Sequence, residues 1–330
     1  MRALYLIMVR QLVVLLFITL AASTTQAGTY PFYYYLTQHT QNQLLYNPAY
    51  AGSSDKLNLH LHSMTGIYKV TGTASAVNPL NVGYGSFDRP CPTIKGAWGA
   101  YVVFNAPNVA GTYYTLSAGG NYAYRWQINK DHCLQFGAGM AYRRFFANTQ
   151  GTISGNDPII TGRASSNHLD FSLGAWYQYK KLNAGISITH LGNFRISGIG
   201  GNFIGNYSPV MNVYLSYDIE LTEKLHLEPY LYFATASSNS NATSFGEKAQ
   251  FSVGFMADYD KALFAGFGYS ANQVLSPTAG FQLKKKFRFQ GTYNYIGNQQ
   301  DALLRYHNFE VSLTVQLAPK EQERNSKKVD

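Results

Sequence analysis

From Tyr114 to Ile128 every even-numbered position except Gly120 carries Tyr, Leu, Ala, Trp or Ile, while the odd positions run Thr115, Ser117, Gly119, Asn121, Ala123, Arg125 and Gln127. Successive side chains of a β-strand point to opposite faces, so this stretch reads as a strand with one apolar and one polar side. It is also longer than most soluble strands. Similar alternation recurs near 57–63, 77–87, 96–104, 133–146, 168–180, 182–190 and 208–221, and again near 225–234, 249–259, 263–270, 277–284, 287–295 and 306–317. With 112–128 these make fourteen segments. In the sixth, Leu169, Phe171, Leu173, Ala175, Tyr177 and Tyr179 oppose His168, Asp170, Ser172, Gly174, Gln178 and Lys180, with Trp176 the exception on the polar side. In the last, Phe309, Val311, Leu313, Val315 and Leu317 oppose Glu310, Ser312, Thr314 and Gln316. The fold class that follows is all-β: a transmembrane antiparallel β-barrel of about 14 strands.

The chain opens with Arg2 and Arg10, the apolar run Leu12 to Ala22, and then small and polar residues ending at Thr25-Gln26-Ala27. This is the pattern of a secretory signal peptide over residues 1–27, cleaved after Ala27. The apolar run is too short to span a bilayer comfortably, and no Cys follows it to accept a lipid. No later segment approaches the ~20 continuous apolar residues of a membrane helix, so membrane spanning falls to the strands.

Composition agrees. Aromatic residues make up 15% of the chain and charged residues 13%, against about 25% charged in an ordinary soluble domain. The 27 tyrosines suit interfacial girdles. A soluble sandwich or lipocalin-like barrel would carry charge on its outward face. Here one face is apolar and the other bears Ser, Asn and Gln with His168, Asp170, Asp218, Glu220, Asp258 and Glu310, costly toward lipid but comfortable in a wet lumen. The net charge of +9 becomes +7 once Arg2 and Arg10 leave with the signal peptide. The basic residues are scattered through turns and tail rather than gathered on one face, which argues against nucleic acid as a partner.

The connections alternate in length. Short charged turns at Asn129-Lys130-Asp131-His132, Lys180-Lys181, Thr222-Glu223-Lys224, Asp260-Lys261 and Lys284-Lys285-Lys286 separate longer stretches at 147–167, 191–207, 235–248, 271–276 and 296–305 that are rich in Gly, Asn and Ser. Outer-membrane barrels turn their short connections to the periplasm and their long loops outward. Both ends of the barrel are therefore expected on the periplasmic side. The chain divides into the signal peptide (1–27), a periplasmic N-terminal segment (28–56), the barrel (57–317) and a charged periplasmic tail (318–330).

Chemistry finds little footing in the sequence. His60 and His62 share a strand face, but no third metal ligand can be named beside them. His168 and Asp170 also share a face and suit a serine nucleophile, yet strand periodicity places such pairs together by chance. Gly198-Ile199-Gly200-Gly201 lacks the strand, turn and helix context of a phosphate loop and reads as a flexible outer loop. Lys284 to Lys286 reads as a charged turn that keeps a hairpin end in water, with a negatively charged partner or anionic headgroups as the alternative. Cys91 and Cys133 fall near neighbouring turns, in an oxidising compartment, so a disulfide between hairpins is feasible, as are two free thiols. No cofactor is implied.

Between the signal peptide and the first strand lies Gln38 to Ser53, which contains Tyr46-Asn47-Pro48-Ala49-Tyr50-Ala51-Gly52. Asn47-Pro48 favours an extended or turn conformation and Gly52 permits a sharp bend. This segment resembles the hallmark of the PorP/SprF family of outer-membrane proteins of the type IX secretion and gliding machinery. The signal peptide, the motif just after it, the barrel filling the remainder and the closing strand His307 to Leu317 are similar too. Two departures stand out: the stretch His62 to Tyr68 lacks a tryptophan expected there, and the tail Pro319 to Asp330 runs past the expected end, as in a specialised paralogue. The resemblance implies a non-enzymatic role in the cell outer membrane. It implies as partners secreted cargo, often adhesins, through a C-terminal signal domain, and proteins of the periplasmic secretion machine. A passive porin or solute channel is the alternative that the polar lumen suggests, and a barrel hydrolase using His168 is the third.

Overall fold

The alternating segments pair into one antiparallel sheet that closes on itself. The computed structural model describes residues 36–70, 77–107, 113–148, 163–192, 194–199, 209–236, 249–270, 274–296 and 304–317. Its strands are β1 (Leu57–Val70), β2 (Val77–Cys91), β3 (Gly96–Pro107), β4 (Tyr113–Gln127), β5 (His132–Asn148), β6 (Arg163–Tyr179), β7 (Leu182–Thr189) and β8 (Phe194–Ile199). They continue with β9 (Val210–Tyr217), β10 (Ile219–Glu220), β11 (Leu225–Ala236), β12 (Gln250–Tyr259), β13 (Leu263–Ser270), β14 (Val274–Leu283), β15 (Phe287–Ile296) and β16 (Leu304–Leu317).

β1 pairs with β16 in unbroken register from Leu57↔Leu317 to Val70↔Leu304, and β9 pairs with β11, so the sheet closes into a ring. β7 and β8 share one position in the ring, both pairing with β6, and β9 and β10 share another beside β11. Sixteen strands thus form fourteen staves. A closed barrel is required because lipid offers the backbone no hydrogen bonds. Among the described residues no helix is long and apolar enough to cross a membrane.

The sequence alternation is the inside–outside alternation of the wall. On β1, Leu59 and Leu61 are exposed while His60 and His62 are buried; on β16, Phe309 and Val311 face out while Asn308, Glu310, Ser312 and Thr314 face in. Trp98, Tyr122, Trp126, Tyr217 and Tyr259 are exposed toward the end with the short turns, the place of an interfacial girdle. Those turns are tight: Asp260 and Lys261, and Lys284 and Lys285, are consecutive residues at positive φ, the backbone of the two-residue hairpins whose twist matches the flanking strands.

The long connections are shorter than expected. β5 runs to Asn148, β8 lies inside the stretch read as the loop 191–207, and β14 and β16 begin at Val274 and Leu304. Hairpins that rise above the lipid band need backbone pairing but no apolar face, so the alternation that marks a strand fades before the strand ends. Gly198 and Ile199, read as part of a flexible loop, end β8, whereas Gly200 and Gly201 lie outside the described residues. So do residues 1–27, read as a signal peptide, residues 28–35, and residues 318–330, read as a charged tail.

The sequence leaves Cys91 and Cys133 open between a bridge and two free thiols. Both cysteines are free thiols. Cys91 ends β2 opposite Gly96, and β3 and β4 stand between it and Cys133 on β5. Three strand spacings, roughly 14 Å, exceed the reach of a disulfide, whose Cα atoms lie within about 7 Å. Non-reducing peptide mass spectrometry is expected to find both sulfurs unbridged, with alkylation faster at the half-exposed Cys91 than at the buried Cys133.

Candidate functional site, a plug in the barrel lumen

The segment before β1, expected to be periplasmic, lies inside the barrel over its described part: residues 36–53 are nearly all buried. Backbone geometry makes it compact. Gln43–Tyr46 is one helical turn, and Asn47 then caps a 3-10 turn over Pro48–Tyr50 by accepting the Ala49 N–H at 2.9 Å. Pro48 sits at the first position of that turn, where its missing N–H costs nothing. Gly52 follows at φ +68°, the bend that the motif required.

The plug is bound to the wall on every side. Near β16, the Thr37 N–H and hydroxyl each donate to Glu310 Oε1 at 2.9 Å, and Asn294 Nδ2 donates to the same oxygen at 2.6 Å. Glu310 is fully buried, and His62 Nε2 stands 3.1 Å from its other oxygen. Gln38 bridges Thr292 and Ser312. Both His60 and His62 contact Asn42 Oδ1 at 3.0 Å. Across the lumen, Asn121 donates to Leu44 O, Ser187 to Tyr46 O and Gln135 to Ala51 O. At the turn side, Gly52 N donates to Asp88 Oδ2 at 2.7 Å and Arg125 pairs with Asp55.

Asn47 reaches the wall's own backbone. Its Nδ2 donates to the backbone oxygens of Ala175 on β6 and Ile186 on β7, at 3.0 and 3.3 Å. Two facing glycines make this possible. Gly137 and Gly174 are register partners on β5 and β6. A Cβ on Gly137 would lie 2.2 Å from Ala49 N, and one on Gly174 would lie 2.1 Å from Asn47 Oδ1.

The interior that was expected to be wet therefore holds an apolar core. Leu36, Leu45, Tyr46 and Ala49 pack with Met64, Val82, Tyr84, Val103, Trp176, Tyr214 and Tyr232 from the wall. Tyr46 lies 5.1 Å from Tyr232, which also stacks on His39 at 4.1 Å, and Tyr50 meets Trp176 edge-on at 4.9 Å. Trp176, the exception on the polar face, is there because it packs under the plug. Met64, Val82 and Val103 are the same signal, apolar side chains at inward positions, and reading them together would have located an interior segment.

The other candidate residues fall around this core. His60 and His62 hold Asn42, and among the described residues no three His, Cys, Asp or Glu gather as metal ligands. His168 contacts Ser166 Oγ at 2.9 Å, but Asp170 is engaged by Arg143 and His190. In a hydrolytic triad the acid would orient the histidine that faces the serine. Arg143 and His190 were not singled out in sequence, since a single inward cation on a strand carries no periodic signature.

Glu310→Gln tests the latch on β16. It replaces a charged acceptor facing several donors with an amide, and hydrogen bonds to a charged group contribute about 1.5–3 kcal/mol. The expected result is a folded barrel whose heat-induced unfolding, read as a gel mobility shift, occurs at lower temperature than in the parent.

The family model for "Type IX secretion system membrane protein PorP/SprF" matches residues 29–315. No curated protein matches the chain. Among solved structures, a Pseudomonas aeruginosa FadL homologue aligns with a TM-score of 0.51 at 12% identity, over 84% of this chain and 94% of that one. A deletion mutant of the monoaromatic hydrocarbon channel TodX aligns with a TM-score of 0.54 at 9% identity, over 89% of this chain and 96% of that one. At such identities the likeness extends to the barrel fold alone. The family match and the barrel neighbours together place the chain in the outer membrane.

Proposed function

The chain belongs to the PorP/SprF family of type IX secretion system membrane proteins, and from this we propose that it is a non-enzymatic component supporting secretion or surface attachment of a partner protein such as an adhesin. Its partners on this reading are the C-terminal signal domain of that cargo and periplasmic proteins of the secretion machine. Gliding motility follows where the cargo is a motility adhesin.

One observation carries the reading: the Tyr46 to Gly52 motif forms the packed centre of a plug wedged into the wall at Asn47. A barrel whose lumen is occupied by its own N-terminal segment is a poor passive pore and a good rigid platform for proteins docking at its mouths. That favours a partner-binding role over the porin alternative. The test compares surface and released proteins between a strain lacking the gene and its complemented parent. Loss of one or a few large proteins bearing type IX signal domains is the expected outcome. An unchanged set of exported proteins would end the secretion reading for this chain.

A further inference from the structure

The plug leaves part of the lumen unfilled. A cleft of about 420 Å3 opens at the turn-side mouth, within the range of binding pockets. Its lining is charged in two halves. Asp218, Glu228 and Asp258 stand on the β9 to β12 side, and Lys261, Lys285 and Arg288 stand from the β12–β13 turn round to β15, with Lys56 beyond them.

The charges inside are held in place but incompletely matched. Arg288 lies 3.7 Å over the Phe264 ring, which fixes its guanidinium. Its Nη1 stands 3.6 Å from Asp258 Oδ2, an ion-pair distance too long for a hydrogen bond. Arg288 Nε and Asp258 Oδ1 are both buried without a hydrogen-bond partner. No protein group bonds these two atoms, so a ligand that answers both gains two charge-assisted hydrogen bonds inside the cleft. A lone anion would answer only the basic half.

We propose that this cleft docks a short extended polypeptide segment of alternating charge, presented by a partner on the turn side of the membrane. In an extended chain successive side chains point oppositely, so alternating acids and bases would meet the two halves at once. The cleft shares no residue with the Tyr46 to Gly52 motif, so this proposal and the secretion reading fail separately.

The test uses the full-length protein in lipid nanodiscs and a fluorescein-labelled, end-capped hexapeptide of alternating lysine and glutamate, with an alternating serine–glycine hexapeptide as control. Fluorescence anisotropy is expected to show saturable binding of the charged peptide alone, weakened by added salt. Arg288→Gln and Glu228→Gln are each expected to weaken it at least about tenfold, since removing one member of a charged pair across an interface costs that much or more. Lys285→Gln, on an exposed turn where folding is not at risk, is expected to weaken it in the same direction. Absence of saturable binding, or binding by all three variants equal to that of the parent, overturns the proposal. Equal competition by free lysine and glutamate would assign the cleft to small solutes instead. Binding seen only after truncation beyond Leu317 would assign it to the protein's own tail, and either result overturns the docking of a partner.

Discussion

Protein lacking residues 42–53 is expected to conduct ions in discrete steps across planar bilayers, whereas the intact chain is expected to stay closed. The deletion removes Leu44, Leu45, Tyr46 and Ala49 from the interior and, with Asn47 and Gly52, the bonds to β6, β7 and Asp88. It leaves every strand and the β1–β16 seam in place. Each large side chain lost from the core removes about 1.5–3 kcal/mol of burial. The deleted form is thus expected to unfold at lower temperature while still giving the gel shift of a folded barrel. The same variant in cells separates two roles for the motif. Lost cargo with a folded barrel makes the plug part of the secretion function, and normal cargo on the surface makes it a stopper only. Porin-like conductance by the intact chain would move the channel reading to first place.

Gly137→Leu and Gly174→Leu are expected to force the plug off the wall. A side chain at Gly137 meets the backbone of Pro48 and Ala49, which cannot rotate aside, and one at Gly174 meets the Asn47 amide that is bonded to β6 and β7. Overpacking a filled interior ordinarily costs about 1–3 kcal/mol, and an unyielding backbone places these sites at the upper end. The matched control is Gly83→Leu, on the lipid face, where an added Cβ meets nothing within 4 Å. The readout is the rate at which a maleimide labels Ala49→Cys in a background with Cys91 and Cys133 replaced by Ser. Fast labelling in the two inward variants and slow labelling in the control is the expected pattern. Equal labelling in all three would mean that these glycines do not seat the plug.

The barrel was legible because its physics is local. Alternation at period two states which side of each strand meets lipid, and fourteen such runs became fourteen staves. Strand ends were less legible: β8 escaped notice because its alternation is only Phe194 and Ile196 against Arg195 and Ser197, too short a run to mark a strand. The motif was visible as residues without a place. Asn47-Pro48 and Gly52 announced a turn, but a turn in the periplasm and a turn in the lumen have the same sequence. Glu310 read as a wet lumen carboxylate, and it is instead a buried acceptor for Thr37, across 273 positions of chain.

From sequence alone came the strands, their inward and outward faces, and the family resemblance, all of which depend on residues close together along the chain. Only the closed structure decided that residues 36–53 lie within the lumen, that Gly137 and Gly174 are hollowed for Asn47 to Ala49, and that Cys91 and Cys133 stand too far apart to bridge. Those outcomes rest on distances around the ring of staves. Such distances exist only after β16 meets β1, and no periodicity along the chain encodes them.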